Sequence, residues 1–452
     1  MKIAVVGTGV AGLGAAWMLS PGHEVVVYEK ERRLGGHSHT HSIDIDGATV
    51  PVDTGFIVYN EPNYPDLSAL LAHLDVVTRW SDMSFGVSLD GGRYEYGSGW
   101  LSFLGQRRNI VDPRHWRLVR DIQRFNREAP ALIEDASNAG LPLREYLAAA
   151  GYGGDFARRY LLPMASAIWS APISAMLEYP AGSLVRFFVN HGLLRVAGQL
   201  RWRSIDGGSQ RYVEKIAARL GNSVRLSTAA TRIERGPAGT TIRDQHGHPD
   251  TFDRVIVATH ADQALASLAD PTPRERSVLG AFRYTPNTAV LHADPSLMPR
   301  RRRVWSSWNH VAREGDTGAP ASLTYWMNRL QRLPTRRDVF VSLNPDRPPA
   351  EESTWATMQY EHPLFDGAAV AAQGALAGLQ GVRGTFFCGS YFGYGFHEDA
   401  LSSGLDVAES MGAKRPWSTP ARARRADAIA TPGATLPGFG ASTPVAARVS
   451  AE

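Results

Sequence analysis

The stretch that decides the fold is MKIAVVGTGVAGLGAAWMLSPGHEVVVYEK, from Met1 to Lys30. Its apolar run at 2–6 is suited to a strand that is buried on both faces. The turn Gly7-Thr8-Gly9-Val10-Ala11-Gly12 follows, then helix-forming residues, and then a second apolar run at 25–28 that ends on Glu29. This order predicts a strand, a glycine turn, a helix and a second strand closed by an acid.

Each residue type in this motif has a physical role. Gly7 permits a tight turn, Gly9 lets a pyrophosphate approach the backbone, and Gly12 lets the helix pack closely on the strand. The free N–H groups at the helix start would face the phosphates. Glu29 has the spacing expected of a carboxylate that binds a ribose hydroxyl. A glycine turn alone also occurs for structural reasons, but together these features predict a dinucleotide-binding site.

The next segment, Arg33-Leu34-Gly35-Gly36, indicates which dinucleotide is bound. Paired glycines let the chain pass close to a phosphate, and an arginine can bind phosphate oxygens. A surface turn is the alternative interpretation. The segment resembles the R-x-G-G motif that follows the ribose-binding acid in the flavin-containing amine oxidase superfamily, which includes monoamine oxidase-like enzymes and carotenoid desaturases. The resemblance implies that the cofactor is FAD.

A second motif lies near the other end of the chain. Residues 385–390 read as the last strand of the fold, and a glycine-rich loop, Phe396-His397-Glu398-Asp399-Ala400 and a helix predicted over 405–411 follow. This resembles the superfamily's C-terminal flavin motif, in which a glycine loop and a helix N-terminus meet the flavin. The positive helix end would stabilise the charge that develops on reduction by about 0.3 to 2 kcal/mol.

The resemblance covers roughly residues 1 to 413 and implies an α/β fold. A Rossmann-like FAD-binding domain, with a three-layer arrangement around a parallel sheet, is expected to be interleaved with an α+β substrate domain of mixed sheet and helices. The FAD-binding domain would take 1–62, 203–275 and 380–413, and the substrate domain 63–202 and 276–379. Residues 414–452 are rich in Ala, Pro, Thr and Gly, and we predict a disordered tail there.

The resemblance also assigns residues to the cofactor. The expected FAD-binding residues are Gly7, Gly9, Val10, Ala11, Gly12, Glu29, Lys30, Arg33, Gly35, Gly36, His37, Thr54, Gly55, Phe56, Ile233, Gly389, Ser390, His397, Glu398, Asp399 and Ala400. We expect non-covalent FAD, because Cys388 is the chain's one cysteine and lies within a predicted strand. His37, His39 and His41 would share one face of a strand and could hold a metal. Since this segment should line the flavin phosphates, no metal site is predicted.

Two blocks of the chain suit a substrate pocket. Residues 113–200 are mainly helical and aromatic-rich, and 281–365 carry many large rings among few amide and imidazole groups, which suits an apolar molecule with one polar end. Plain core packing is the alternative. A flavin of this fold takes a hydride, and an unactivated chain also needs a base. We predict His397, whose unperturbed pKa lies nearest neutrality, with Tyr325 and His362 further out. Orientation of the ribitol or the loop is the alternative role for His397.

Within the superfamily, Gly395-Phe396-His397-Glu398-Asp399 and Asn63-Tyr64-Pro65 resemble a bacterial subgroup that is often encoded beside cyclopropane-fatty-acid synthase-like methyltransferases. That context implies a small apolar or lipid substrate, with desaturation or a related oxidation of a fatty-acyl chain. An amine oxidase that releases peroxide is the first alternative. A non-catalytic flavoprotein that partners a lipid-modifying enzyme, such as the methyltransferase, is the second.

Composition limits the other functions. The net charge of +4 comes from the last part of the chain, where six basic residues face two acidic ones after position 413, so we predict no nucleic-acid partner. The tail could contact anionic lipid, although a solvated tail is the simpler interpretation. One cysteine fits a reducing compartment, and neither a signal peptide nor a membrane span is recognised. We therefore expect a cytoplasmic protein, with peripheral contact at the inner face of the membrane as an option and the oligomeric state open.

Overall fold

A computed structural model of the protein describes residues 1–134, 138, 140–195, 198–313, 318 and 322–418. The strands in these ranges are β1 (Lys2–Val6), β2 (Glu24–Tyr28), β3 (Thr40–Ile45), β4 (Ala48–Asp53), β5 (Val58–Asn60), β6 (Thr78–Ser81), β7 (Phe85–Leu89), β8 (Tyr94–Gly97), β9 (Trp202–Ile205), β10 (Val224–Arg225), β11 (Ala230–Gly236), β12 (Gly239–Asp244), β13 (Pro249–Phe252), β14 (Arg254–Val257), β15 (Arg283–His292), β16 (Trp308–Ala312), β17 (Leu323–Trp326), β18 (Phe340–Leu343), β19 (Thr354–Leu364) and β20 (Thr385–Phe387).

Helices connect these strands. They are α1 (Val10–Leu19), α2 (Pro65–His73), α3 (Trp100–Phe103), α4 (Pro113–Glu128), α5 (Leu143–Ala149), α6 (Gly154–Phe156), α7 (Leu162–Trp169), α8 (Ile173–Glu178), α9 (Ala181–Asn190), α10 (Gln210–Leu220), α11 (Ala261–Ser267), α12 (Pro273–Leu279), α13 (Met327–Leu330), α14 (Gly367–Gln373) and α15 (His397–Ser410). Within the described residues, no helix combines the length and the apolar character needed to cross a membrane.

A parallel sheet with the strand order β10-β2-β1-β14-β20 forms the cofactor side of the molecule. Its central strands are buried on both faces, which explains their nearly continuous apolar sequence. Ile3 and Val5 pack into one core with α1, α10 and α15, whereas Ala4 and Val6 pack into another with the β11–β13 meander and α11. Alternate residues of one strand thus serve two layers. The predicted α/β class is confirmed.

Helix α15 begins earlier than the sequence suggested. The expected start was at 405, after Ser402-Ser403-Gly404, but the helix runs from His397. Gly404 does not end a turn: a Cβ built there would lie 2.1 Å from the Ala11 carbonyl oxygen of α1. Glycine is therefore needed for the close crossing of α15 and α1, and not for a break in the chain.

A mixed sheet with the order β19-β15-β18-β17-β16-β7-β8 forms the side of the molecule predicted to bind the substrate, called the substrate side below. Its pairs are antiparallel except for β16 with β7, which are parallel. Its strands lie within 63–202 and 276–379, and those of the parallel sheet lie within 1–62, 203–275 and 380–413, the segments predicted for the two domains. The three-stranded sheet β5-β9-β6 contains the chain segments that pass between them.

The start of the predicted tail is ordered against the fold. Arg415 forms ion pairs with Asp66, Asp406 and Glu409 at 2.7–3.0 Å, and Trp417 stacks on Trp17 with ring centroids 6.0 Å apart. The predicted boundary at 414 is therefore wrong by several residues, because a buried guanidinium among three carboxylates holds this segment in place. Residues 419–452 of the predicted tail lie outside the described residues.

Candidate active site

A cavity of about 2050 Å³ lies at the carboxyl ends of β1, β2, β14 and β20. This is the edge of a parallel sheet where nucleotide cofactors bind, because loops and helix N-termini converge there. The cavity extends from this edge to the mixed sheet and the helices α4, α7 and α9. It therefore has a cofactor end and an apolar end.

The turn before α1 forms one wall of the cofactor end. Gly9, Val10 and Ala11 line the cavity, and apart from the two adjoining residues no described residue has an atom within 4 Å of a Cβ built on Gly9. Gly12 does not line it: a Cβ there would lie 2.0 Å from the Gly7 carbonyl oxygen. Gly9 thus leaves space for a ligand at the positive end of α1, and Gly12 permits backbone packing.

The acid that ends β2 is fixed by local hydrogen bonds. Glu29 Oε2 accepts from the backbone N–H of Thr8 at 3.0 Å and from its hydroxyl, and Glu29 Oε1 accepts from the backbone N–H of Glu31 at 2.9 Å. Glu29 lines the cavity, as do Lys30 and Arg33. The carboxylate is held at the wall where a ribose hydroxyl could reach it.

The second flavin motif reaches the same cavity from the far end of the sequence. Gly389, Ser390, His397 and Ala400 line it, together with Phe396. The structure therefore brings the N-termini of α1 and α15 to one cavity. Further predicted FAD-binding residues on its wall are Gly7, Gly35, Gly36, His37, Gly55 and Phe56.

Two α15 residues that were predicted to bind the cofactor instead accept hydrogen bonds from backbone N–H groups near the starts of helices. Glu398 accepts from the backbone N–H groups of Asp66 at 2.9 Å and Leu67 at 3.0 Å, and so caps α2. Asp399 accepts from the N–H groups of Tyr394 and Phe396, both at 3.0 Å, in the loop before α15. Their carboxylates do not line the cavity, because these backbone donors need acceptors where they are.

Two other predicted cofactor residues also lie off the cavity wall. Ile233 is fully buried in the core between β11 and the residues after α11, where it bridges to Leu268. The hydroxyl of Thr54 is 2.9 Å from that of Tyr360, which does line the cavity. Thr54 therefore positions a wall residue, and Ile233 supports the sheet.

His397, the predicted base, is fixed on two sides. Its Nε2 is 2.8 Å from the hydroxyl of Tyr212 and 3.4 Å from that of Ser38, and its ring stacks on Phe56 with centroids 3.8 Å apart. Removal from bulk water lowers its pKa from 6.5 to about 3. His397 is neutral at physiological pH and already occupied at one nitrogen, which favours an orienting role.

His362 lies on the cavity wall in a defined tautomer. The backbone N–H of Thr288 donates to Asn344 Oδ1 at 2.8 Å, Asn344 Nδ2 donates to Asn287 Oδ1, and Asn287 Nδ2 then donates to His362 Nδ1 at 2.9 Å. This chain fixes both amides, so neutral His362 carries its proton on Nε2. Burial and then the nearby His260 lower the pKa of His362 to about 4.

His37 is separated from the other two histidines of its segment. Its ring lies 5.4 Å from His362 and 5.2 Å from Tyr360, whereas His39 and His41 lie 4.1 Å apart. The expected shared face is wrong because β3 begins only at Thr40, after the Gly35-Gly36 turn. In the described part of the chain, no group of three or more His, Cys, Asp or Glu side chains could hold a metal ion.

The residues at the flavin end fit a bound cofactor. Gly9 faces open space, and the buried Nε2 of His37 has no hydrogen-bond partner among the described residues. Burial, with the neighbouring His362 and His260, holds the pKa of His37 well below its usual range. A neutral imidazole without a partner beside an open glycine turn leaves a hydrogen-bonding position for a bound cofactor or substrate.

The third predicted catalytic residue, Tyr325, lies on the wall near the apolar end. Its ring packs edge-on against Trp308 with centroids 4.9 Å apart, and burial raises its pKa. Its hydroxyl is therefore protonated at neutral pH. Around it the apolar end is lined by aromatic and aliphatic side chains, among them Phe85, Phe103, Ile122, Tyr160, Met164, Ile168, Trp169, Phe187 and Met358.

Sequence reasoning missed several residues that hold this site. Asn287, 75 residues before His362 along the chain, orients its ring, and Asn344, the residue after β18, orients Asn287. Tyr284 stacks on His260 with centroids 4.3 Å apart, and Tyr212 holds His397. Only the strand register, with Asn287 opposite Tyr360 and Thr285 opposite His362, could have identified Asn287.

Comparison with known proteins agrees with this geometry. The family model for flavin containing amine oxidoreductase matches residues 10–295, which is more than half of the chain. The chain belongs to this family. The cofactor of the family is FAD, and the two helix N-termini with their glycine turns are where this flavin-containing amine oxidoreductase would hold it.

Relatives and solved structures resemble it over different lengths. AofH of Mycobacterium tuberculosis, a protein named as a flavin-containing monoamine oxidase, is 28% identical over 284 residues, which cover 61% of this chain and 60% of AofH. A putrescine oxidase triple mutant has a TM-score of 0.67 at 17% identity, covering 91% of this chain and 98% of that one. A CLA-producing fatty acid isomerase from P. acnes has a TM-score of 0.63 at 16% identity, covering 90% and 97%. These structures share the fold.

Proposed function

We propose that this flavin-containing amine oxidoreductase removes a hydride from a substrate with a long apolar part, a fatty-acyl chain of a lipid. The observation that carries the proposal is the apolar end of the cavity. It continues from the flavin-binding end between α4, α7, α9 and the mixed sheet, and its wall is mainly aromatic and aliphatic. An apolar wall favours an apolar ligand by removing its surface from water.

The charges on the wall also support a neutral substrate. Asp82, a carboxylate near the apolar end, is bound to Arg329 at 3.0 Å and to Ser307 at 2.8 Å. Glu361, at the other side, lies 3.4 Å from His260. A cationic amine would need an acceptor that is not already paired. At the apolar end, where Asp82 is already paired with Arg329, the wall therefore favours a neutral chain over a polyamine.

FAD, when bound, supplies the acceptor for one hydride, which carries two electrons and a proton. The chain's own residues hold and shield the reacting groups: Phe56 and His397 stack at the flavin end, and His362 presents an N–H. Removal of a hydride from an unactivated C–H bond also releases a proton, which a nearby group must take. We propose His37, because its Nε2 has no partner in the described structure, whereas Tyr212 and Asn287 occupy nitrogens of His397 and His362.

Non-covalent attachment of FAD is part of the proposal. Cys388 is fully buried, does not line the cavity and has its pKa raised by burial. A protonated, inaccessible thiol is a poor nucleophile. Acid precipitation of the protein should therefore release all of the flavin into the supernatant.

The deciding experiment is anaerobic reduction of the bound flavin by a panel of unsaturated and methyl-branched fatty-acyl lipids and of amines. We expect lipids, and not amines, to bleach the flavin absorbance. H37Q should bind FAD and slow bleaching at least about 100-fold, as expected of a lost general base, whereas H397Q should have a smaller effect. Equal rates for H37Q and the wild type would reject His37 as the proton acceptor.

Two matched variants test the apolar end. Ile168→Trp should reduce the bleaching rate with long chains more than with short ones, and Met164→Leu, which nearly conserves volume, should leave both rates close to wild type. FAD content serves as the folding control. An equal loss for all chain lengths would contradict a chain-binding role for this end.

Amine oxidation is the second candidate, and the family membership and the similarity to AofH favour it. Peroxide release with amines, together with silence across the lipid panel, would establish it in place of the first. Tight FAD and lipid binding without turnover, even with artificial electron acceptors, would instead indicate a non-catalytic flavoprotein that serves a lipid-modifying enzyme.

A further inference from the structure

Four large apolar side chains are exposed on one short segment of the substrate side. Leu101 is 86% exposed, Val111 80%, and Ile110 and Trp116 are each 46% exposed. The indole Nε1 of Trp116 donates to the Ile110 carbonyl at 2.8 Å, which holds the ring beside the turn that precedes α4. These side chains form a protruding apolar surface, which in soluble proteins marks a contact site.

The short helix α3, which carries Leu101, adjoins the same turn. Phe103 of α3 lies against His115 with ring centroids 4.6 Å apart, and His115 directly precedes Trp116. We name the exposed surface of α3, of the turn at 107–111 and of the outward side of α4 the α3–α4 face. Four of the ten exposed large hydrophobic side chains in the described residues lie on it.

Arginines surround these apolar residues. Arg107, Arg108, Arg117 and Arg120 are exposed, and none has an ion-pair partner among the described residues. The segment 98–120 holds five arginines and one acid, Asp112. The Asp112 carboxylate accepts from the backbone N–H of Arg114 at 2.8 Å as the N-cap of α4. The positive charge of the α3–α4 face is therefore not compensated locally.

A groove next to this face extends the basic surface. It has a volume of about 600 Å³ and is lined by Arg114, Arg117, Arg120 and Arg124 of α4, with Arg158 opposite. Asp155 neutralises one of them, since it binds Arg114 through two hydrogen bonds of 2.7 and 2.9 Å, and Asp121 also lines the groove. Arginine guanidinium groups bind phosphate oxygens in this kind of arrangement.

The opposite side of α4 belongs to the cavity described above. Val119, Ile122 and Asn126 line its apolar end, while Arg117 and Arg120 are exposed on the outside. Phe103 of α3 also lines that end. The α3–α4 face is thus the outer surface of the cavity's apolar wall.

We propose that the α3–α4 face docks on the surface of an anionic phospholipid bilayer, with the arginines on lipid phosphates and the four apolar side chains inserted among the headgroups. Protruding apolar side chains, of which Leu101 and Val111 are 80% or more exposed, suit a deformable interface that needs no matching cavity. Arginines keep their charge at the headgroups while their stems cover apolar surface. This proposal goes beyond the proposed function and does not depend on which substrate is oxidised.

The test is co-sedimentation of the FAD-loaded full chain with vesicles of phosphatidylcholine alone or with added phosphatidylglycerol. We expect binding to the anionic vesicles that weakens as salt is raised. R117Q/R120Q should bind about 30-fold more weakly, since each basic residue near an anionic surface contributes about fivefold. L101S/V111S should also lose at least about tenfold, because less apolar surface is inserted.

Matched controls distinguish vesicle binding by the α3–α4 face from binding by other positive charges and from binding by the C-terminal tail. R254Q/R276Q removes two exposed arginines outside the α3–α4 face and should bind like wild type, as should R422Q/R424Q/R425Q in the C-terminal segment. Flavin content and circular dichroism confirm that each variant is folded. Wild-type binding by L101S/V111S, or equal loss in R254Q/R276Q, would overturn the proposal. Binding that needs the tail arginines would overturn it too, as would capture by an acidic protein or polyanion without any vesicle binding.

Discussion

Two glycines of the first turn have opposite tasks, although both belong to one motif. Among the described residues other than its two neighbours in the chain, none has an atom within 4 Å of the position that a Cβ on residue 9 would take, whereas a Cβ on residue 12 would lie 2.0 Å from the Gly7 carbonyl oxygen. Gly9 therefore leaves space that a ligand could fill, whereas Gly12 is required by the packing of the protein itself. Substitutions can separate the two.

Gly9→Ala should weaken FAD binding by about 10- to 100-fold, the equivalent of about 1–3 kcal/mol of overpacking against the diphosphate. The unfolding free energy of the flavin-free protein should change by less than about 1 kcal/mol. Gly12→Ala should instead destabilise the flavin-free protein by about 1–3 kcal/mol or more. Flavin titration and urea unfolding measure the two quantities. A Gly9→Ala protein with normal FAD affinity would contradict this assignment.

Glu398 shows how a motif residue can act on another element. Sequence resemblance placed it at the cofactor, but its carboxylate, on a residue that is 6% exposed, accepts from two backbone N–H groups of α2. The first N–H groups of a helix have no partner within the helix, so an external acceptor stabilises them. Glu398 therefore joins α15 to α2.

Glu398→Ala should lower the unfolding free energy by about 1–3 kcal/mol for each buried donor left unpaired, with FAD affinity close to wild type. Glu398→Gln keeps one acceptor oxygen and should lose less. Urea unfolding and flavin titration test both variants. Loss of FAD affinity at unchanged stability would return Glu398 to the cofactor site.

Arg415 joins the end of the described chain to the cofactor domain. Its guanidinium is buried with the carboxylates of Asp66 and Asp406, and Glu409 completes the cluster. Arg415→Gln would leave buried carboxylates without a counter-charge, so we expect a loss of about 3–5 kcal/mol in unfolding free energy. Arg144→Gln removes an exposed ion pair with Glu178 and should change it by less than about 1 kcal/mol. Equal unfolding midpoints for the two variants would contradict this.

The whole molecule buries many neutral imidazoles. Burial lowers the pKa values of His191, His292, His310 and His362 to about 4. In the unfolded chain they titrate near 6.5. As the pH falls below about 6.5, the unfolded state binds protons that the folded state does not, so stability decreases until the folded pKa is reached. Asp53 has the opposite effect on the pH dependence of stability. Burial raises its pKa to about 6, so as the pH falls the folded state binds this proton before the unfolded state does.

We therefore expect the unfolding free energy to be lower at about pH 5 than at about pH 7.5, with about 2 kcal/mol from each fully buried histidine. His292→Gln should reduce this difference by about that amount, since His292 is fully buried. His246→Gln, at an exposed site, should leave it unchanged. Urea unfolding at both pH values in saturating FAD provides the measurement. A pH-independent midpoint would refute the account.

Much of the fold could be predicted from local patterns. The strand, glycine turn and helix at 2–19, and the helix at 210–220, depend on residues close in sequence, whose periodicity reports burial. Other assignments failed where distant elements compete for one residue. Ile233 was predicted to bind FAD but lies in the core, off the cavity wall, and Ser402-Ser403-Gly404 was expected to precede a helix but lies inside α15. Local sequence patterns predict which residues are buried, but they do not identify the distant residues that bury them.

The amino-acid sequence by itself determined the family, the FAD-binding motifs at both ends and the α/β class, because these are written in short segments with a fixed spacing. Tertiary structure alone decided which side chains meet: Asn287 with His362, Arg415 with Asp66, and the exposed apolar residues with arginines on the α3–α4 face. Such contacts depend on strand register and helix crossing over tens to hundreds of residues. Small differences in packing select them, and no local pattern encodes those differences.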